Sequence, residues 1–272
     1  MAPLSCIFFL GLYALYERRM VHWAGSEIAQ LMLGLMVPPL LATHLAGTRI
    51  AFAAYGIDKG YAQVLYTFWV TSPYTGLVQI VLLIVAWTHG CLGIRFWFRL
   101  QPWFARARST LLCAAMLLPV LALLGFLQSG REVVALARDP GWRAVALAPD
   151  RTGASAQNLW LADLRDDFLV FDGGAILLVL LARLVRVSLE QRGPRFTVTY
   201  PDGKRQTVPV GFSVLEVSWL IGVPHANICG GRGRCTLCRV RLIGPHDLPP
   251  PGPAEGRVLR ALGADVAMCH GQ

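Results

Sequence analysis

The sequence predicts an all-α transmembrane helical bundle followed by a small α+β domain. Three observations predict it. Apolar residues gather in long blocks as far as Ser188, whereas the stretch after about Glu190 is polar, rich in Gly and Pro, and alternates in the manner of short strands. Of the 272 residues, 55% are hydrophobic and only 15% charged. The mean hydropathy of +0.50 is too apolar for an ordinary soluble domain. The expected organisation is a remnant helix and basic loop at 1–23, a membrane anchor of four helices at 24–190, a linker at 191–194 and the α+β domain at 195–272.

Spanning a bilayer takes roughly 20 helical residues. Four segments are long enough: Glu27–Thr48, Pro73–Phe98, Ser109–Gly130 and Phe168–Ser188. Leu4–Tyr16 is apolar but too short to span, and is expected to be the tail of a helix that begins upstream. It has neither the basic start nor the small-residue cleavage site of a signal peptide.

Basic residues flank the apolar blocks, as in Arg18-Arg19 and in Arg99, Arg106 and Arg108. Cations beside spans mark the cytoplasmic side. The net charge of +9 therefore points to membrane topology; a nucleic-acid footprint would need a basic patch clustered on a soluble face. The Thr48–Ser72 connection carries only Arg49 and Lys59 against Asp58, and the Arg131–Asp167 connection balances its arginines with acidic residues. The simplest solution puts Arg18-Arg19, the Arg99–Arg108 connection and everything after Ser188 in the cytoplasm. The expected location is a bacterial inner membrane, crossed several times, with the α+β domain cytoplasmic.

Two histidines, His44 and His89, fall inside the spans, where an ionisable side chain is costly and marks function by default. One reading is an imidazole bonded to a neighbouring backbone carbonyl. The other is ligation of b-type haem by a neutral imidazole. At 1.5 Å per residue His44 lies about 6 Å from the outer surface and His89 about 24 Å. Two histidines so far apart in depth cannot grip one iron, so they would serve two haems, each needing a second ligand from elsewhere.

The stretch His89-Gly90-Cys91-Leu92-Gly93-Ile94-Arg95 resembles the H-x-x-x-G-I-R haem-ligand motif in the membrane anchor of succinate dehydrogenases. Gly93, one turn after the histidine, lets a flat macrocycle approach the backbone, and Arg95 is within reach of a haem propionate or a quinone head group. That family usually has His after the Arg, where this chain has Phe96.

The C-terminal stretch reads element by element. Phe196–Tyr200 and Arg205–Val210 are two strands about the turn Pro201-Asp202-Gly203. Ser213 and Glu216 form a capping box opening a helix over Val214–Ile221. Leu237–Ile243 alternates as a strand, and Ala254–Leu262 reads as a helix after the proline-rich loop Pro249–Pro253. Four cysteines, Cys229, Cys235, Cys238 and Cys269, have the spacing C-x5-C-x2-C-x30-C. A [2Fe–2S] cluster needs four thiolates, two for each iron, and three from one tight loop with one from afar supply them. Gly230, Gly231 and Gly233 allow that loop to curl with its N–H groups turned inward. Zinc sites usually have two short cysteine or histidine pairs, and the second pair is missing here. Cys6, Cys91 and Cys113 lie in apolar segments as small fillers.

Strand, strand, helix, cysteine loop, strand, helix, cysteine resembles the [2Fe–2S] ferredoxins of the β-grasp fold, the x5 gap being nearest the adrenodoxin-like members. That family continues for another strand after the fourth cysteine, so the domain is expected to be cut short. The two halves together resemble the N-terminal portion of bacterial membrane-bound class III adenylate cyclases. The likeness rests on Thr88–Trp97, on Cys229–Arg239 and on His44 in Leu40–Arg49. It implies a membrane electron-transfer or redox-sensing module passing electrons between quinol, b-type haem and the cytoplasmic cluster. It further implies a cyclase domain beyond the C-terminus and possible homodimers. The chain carries no cyclase catalytic residues of its own. The alternative is the membrane subunit of a quinone-linked oxidoreductase working with a soluble redox partner.

Overall fold

The computed structural model describes residues 2–17, 25–99, 101–148, 153–224, 226, 239–240, 253–262 and 267–268. These form two units, one ending at Leu180 and the other continuing from Leu181.

The first unit is helical. Helix α1 covers Ala2–Glu17 and α2 Gly25–Leu45. Helix α2 runs through a π-helical turn, Ala46–Ile50, into the short α3, Ala51–Tyr55. Gly56, in the left-handed conformation at φ 67°, ends it. Helix α4, Tyr61–Tyr66, passes into a second π turn, Thr67–Thr71, before α5, Pro73–Phe98. Helix α6 spans Pro102–Leu136, α7 Pro140–Ala146, and the long α8 starts at Ser155 and runs to Arg192. Proline at the first position opens α5, α6 and α7, where its missing N–H costs nothing.

Four helical stretches, 25–55, 73–98, 102–136 and 155–192, are long and apolar enough to cross a membrane. The chain is therefore read as a multi-pass membrane protein associated with the lipid bilayer. The expected span Pro73–Phe98 coincides with α5. The others lie within longer helices.

Packing within this unit is closest between α2 and α5. A buried cluster of Leu12, Leu15 and Leu35 joins α1 to α2, with Ala175, Ile176 and Val179 of α8 against it. Ala51, Ile57 and Leu161 form a second cluster, beside which Tyr55 and Trp160 meet edge to face at 5.5 Å. The π turn Thr67–Thr71 sets Trp69 on α6, where Gly130 gives its ring room and Phe126 lies 5.3 Å away, centroid to centroid. The Trp87 indole donates to the Ala115 carbonyl at 2.7 Å, tying α5 to α6.

In the second unit β1, Arg195–Thr199, pairs antiparallel with β2, Arg205–Pro209, in the register Thr197 opposite Thr207, whose hydroxyls are 2.8 Å apart. Gly203 turns the chain at φ 83°. Helix α9, Val214–Leu220, opens on the expected capping box, the Ser213 hydroxyl and the Glu216 backbone and carboxylate satisfying one another. Val208, Leu215 and Val217 are buried together with Ser218, and Tyr200 bonds both the Val214 carbonyl and the Ser218 hydroxyl. Strands β3, Arg239–Val240, and β4, Ala267–Met268, pair antiparallel, and α10 covers Pro253–Leu262.

The expected β-grasp fold is not what the structure shows. Among the described residues the strands make two separate antiparallel pairs, β1-β2 and β3-β4, with no sheet joining them, in a chain that is overwhelmingly helical. The local strand signals held for β1 and β2, but alternation specifies a strand and not its neighbours. Joining the pairs needs a shared apolar face, and β1 is exposed at four of its five positions. The four long apolar helices are compatible with the helical membrane part of the same expectation.

Candidate functional site

The seam between α2 and α5 holds His89. The ring lies against Gly34, where a Cβ would stand 2.7 Å from Cε1 and 3.2 Å from Nδ1. Only glycine permits an imidazole to seat there. Nδ1 is 3.0 Å from the Gln30 backbone oxygen, and since a carbonyl can only accept, Nδ1–H donates. That bond fixes the tautomer and leaves the Nε2 lone pair as the basic position, the arrangement found behind metal-bound histidines. No bond to Nε2 is made among the described residues.

Gln30 and Gly34 are contributions that the sequence did not reveal. Gln30 lies 59 positions from His89, and no local pattern marks a residue chosen for its backbone oxygen. Its side chain fills the place expected for a macrocycle at Gly93: a Cβ on Gly93 would meet Gln30 Nε2 at 3.3 Å. Gln30 Oε1 is buried without a hydrogen-bond partner among the described residues. Arg95, further along α5, is exposed.

His44 is not brought to this place. Its side chain is exposed near the C-terminal end of α2, and its carbonyl accepts from the Thr48 hydroxyl at 2.6 Å in the π turn. The two histidines thus occupy separate positions, and neither has a second histidine opposite it among the described residues. No group of three or more potential metal ligands occurs among those residues.

Cys229, Cys235, Cys238 and Cys269 lie outside the described residues, as do His22 and His246. Cys91 is half-buried and Cys113 exposed, both as free thiols. Comparison with protein-family models, curated proteins and solved structures gives no match.

The donor chemistry at His89, with Nδ1 tied back and Nε2 available, is of the kind that would hold a haem iron. The Gln30 amide stands where a macrocycle would approach Gly93, so that side chain must swing aside for one. At His44 no surrounding feature adds to the bare imidazole.

A substitution separates the seat from the ligand. Gly34→Ala drives a methyl group into the His89 ring and is expected to lower stability by about 1–3 kcal/mol. Adding His89→Ala removes the clash, so the double variant should unfold nearer the wild-type temperature than Gly34→Ala alone. Thermal unfolding in detergent reads both, and additive losses would show that ring and glycine do not share the space.

Proposed function

We propose that this chain is a membrane electron-transfer or redox-sensing module linking quinol in the bilayer to a cytoplasmic [2Fe–2S] cluster through b-type haem. The observation that carries the reading is the joining, on one chain, of four membrane-length helices to the spacing Cys229-x5-Cys235-x2-Cys238-x30-Cys269. Bound haem and cluster would supply one-electron exchange, which no amino-acid side chain here provides.

The roles of the chain's own residues follow. His89 offers Nε2 to iron while the Gln30 carbonyl holds the ring in place. Cys229, Cys235, Cys238 and Cys269 offer four thiolates, and Arg232 and Arg234 within that loop bring positive charge beside them. His44 is a weaker candidate for a second haem, since only its intramembrane position supports it. The regulatory role, as the sensory part of a class III adenylate cyclase, rests on the resemblance of Thr88–Trp97 and Cys229–Arg239 to that family.

Anaerobic purification of the full chain with haem supplied tests this. A reducible b-type haem spectrum and the EPR signal of a reduced [2Fe–2S] cluster are expected together. His89→Ala should abolish one haem signal and leave the cluster signal in place. Retention of both signals would remove His89 from the ligand set, and absence of haem from the wild type would leave the cluster with a merely structural anchor.

A further inference from the structure

The turn joining α5 to α6 gathers cations and aromatic rings at one end of both helices. Arg95, Arg99, Arg106 and Arg108 flank it, and all four are exposed. No acidic residue occurs anywhere between Lys59 and Arg131. Elsewhere in the membrane half arginines have acids beside them: Glu132 follows Arg131, Asp139 follows Arg138, and Arg165 bonds Asp166 at 2.7 Å. The positive charge of this turn is therefore left for something outside the chain to balance.

The rings fix the shape of the surface between those cations. Trp97 stacks on Phe98 with centroids 4.8 Å apart, and Phe98 meets Trp103 across the turn at 5.1 Å. Trp103 in turn meets Phe104 nearly edge-on at 5.9 Å. The row of rings ties the end of α5 to the start of α6, yet Trp97 is 76% and Trp103 45% exposed. Exposed indoles at the end of a membrane helix belong at the level of the lipid headgroups. At 1.5 Å per residue Arg95 stands about 5 Å from the end of α5, and Arg108 about 9 Å from the start of α6. The headgroup layer is about 5–8 Å deep, within reach of a snorkelling guanidinium on either helix.

The chemistry of the cations selects the occupant. All four are arginine, whose planar fork matches phosphate oxygens two at a time. A zwitterionic lipid brings its own cation beside its phosphate, whereas an anionic lipid brings net negative charge. An acidic soluble protein would have to cover two exposed indoles seated at lipid level. We propose that the α5–α6 turn is a binding surface for anionic phospholipid. Arg95, Arg106 and Arg108 take the headgroup phosphate, and the indoles of Trp97 and Trp103 lie against its glycerol and upper acyl chains. This surface requires only that α5 and α6 span a bilayer; it does not depend on haem or cluster.

The full chain, stripped of lipid in detergent, is titrated with phosphatidylglycerol and with phosphatidylcholine of the same acyl chains. Native mass spectrometry counts the bound lipid. The wild type is expected to bind phosphatidylglycerol about fivefold or more tighter. The triple variant Arg95→Gln, Arg106→Gln, Arg108→Gln should bind the two lipids alike. Lysine at the same three positions keeps the charge and should retain most of the preference, which guards against a folding artefact. Arg131→Gln, Arg138→Gln, Arg143→Gln, at and beyond the far end of α6, removes the same charge and should leave the preference intact. Equal binding of both lipids by the wild type, a preference that survives the first triple variant, or an equal loss in the last one overturns the proposal.

Discussion

On the proposed electron-transfer reading, a Cys238→Ser chain is expected to lose the [2Fe–2S] cluster outright. The wild type, purified without oxygen, should carry about two irons and two sulfides per chain in addition to haem iron. Removing one of four thiolates opens one iron to solvent and replaces a soft donor with a poor one. The expected result is loss of essentially all of the reduced-cluster EPR signal, with the haem spectrum unchanged. Cys113→Ser serves as the control, because that thiol is exposed on α6 within the membrane half, and it should leave the signal intact. Zinc in place of iron in the wild-type protein, by elemental analysis, would overturn the assignment of all four cysteines.

The second large effect is structural. A Cβ on Gly130 would stand 2.1 Å from Trp69 Cε2 and 2.4 Å from Cδ2, inside the indole itself. The ring is hemmed in by Phe126 on the same face of α6, so it has little room to yield. Gly130→Val should cost about 3 kcal/mol or more, toward the upper end for overpacked interiors. Thermal unfolding in nanodiscs checks it. Trp69→Ala in the same chain should recover much of the loss by opening the space, and a double variant no better than Gly130→Val alone would mean that the strain lies elsewhere.

Much of the membrane half was legible because hydrocarbon imposes a simple demand. Every N–H in a span must find a carbonyl within its own helix, so a long apolar run can only be helical. Pro73 at one end and Arg95 and Arg99 at the other mark α5 unmistakably. The runs around Ser109 and Phe168 revealed the apolar centres of α6 and α8 but not their polar extensions, since Arg106, Arg108, Asp166 and Asp167 look like the ends of spans while still helical. Helix α4 and the two π turns gave no signal: they are short, and Trp69 matters only because Gly130 faces it.

The same contrast runs through the candidate site. His89 stood out as an ionisable residue in an apolar run, but its seat depends on Gln30 and Gly34 of another helix, which sequence order conceals. Asp172 is legible by the rule that marks the histidines, an ionisable type in an apolar run. In the C-terminal half the capping box of Ser213 and Glu216 and the hairpin about Gly203 were readable because each is settled within a few residues. How β1-β2 relates to β3-β4 is a long-range matter that alternation does not encode.

The neighbouring prolines Pro38 and Pro39 inside α2 have a mechanical consequence. Proline has no N–H, so the carbonyls of Gly34 and Leu35 have no helical donor four residues on. Two of the backbone hydrogen bonds that resist bending are missing at this level, and the helix is correspondingly more compliant there. The joint begins at the glycine that seats the His89 ring. The N-terminal side of the joint grips the imidazole through the Gln30 carbonyl, and the C-terminal side carries His44.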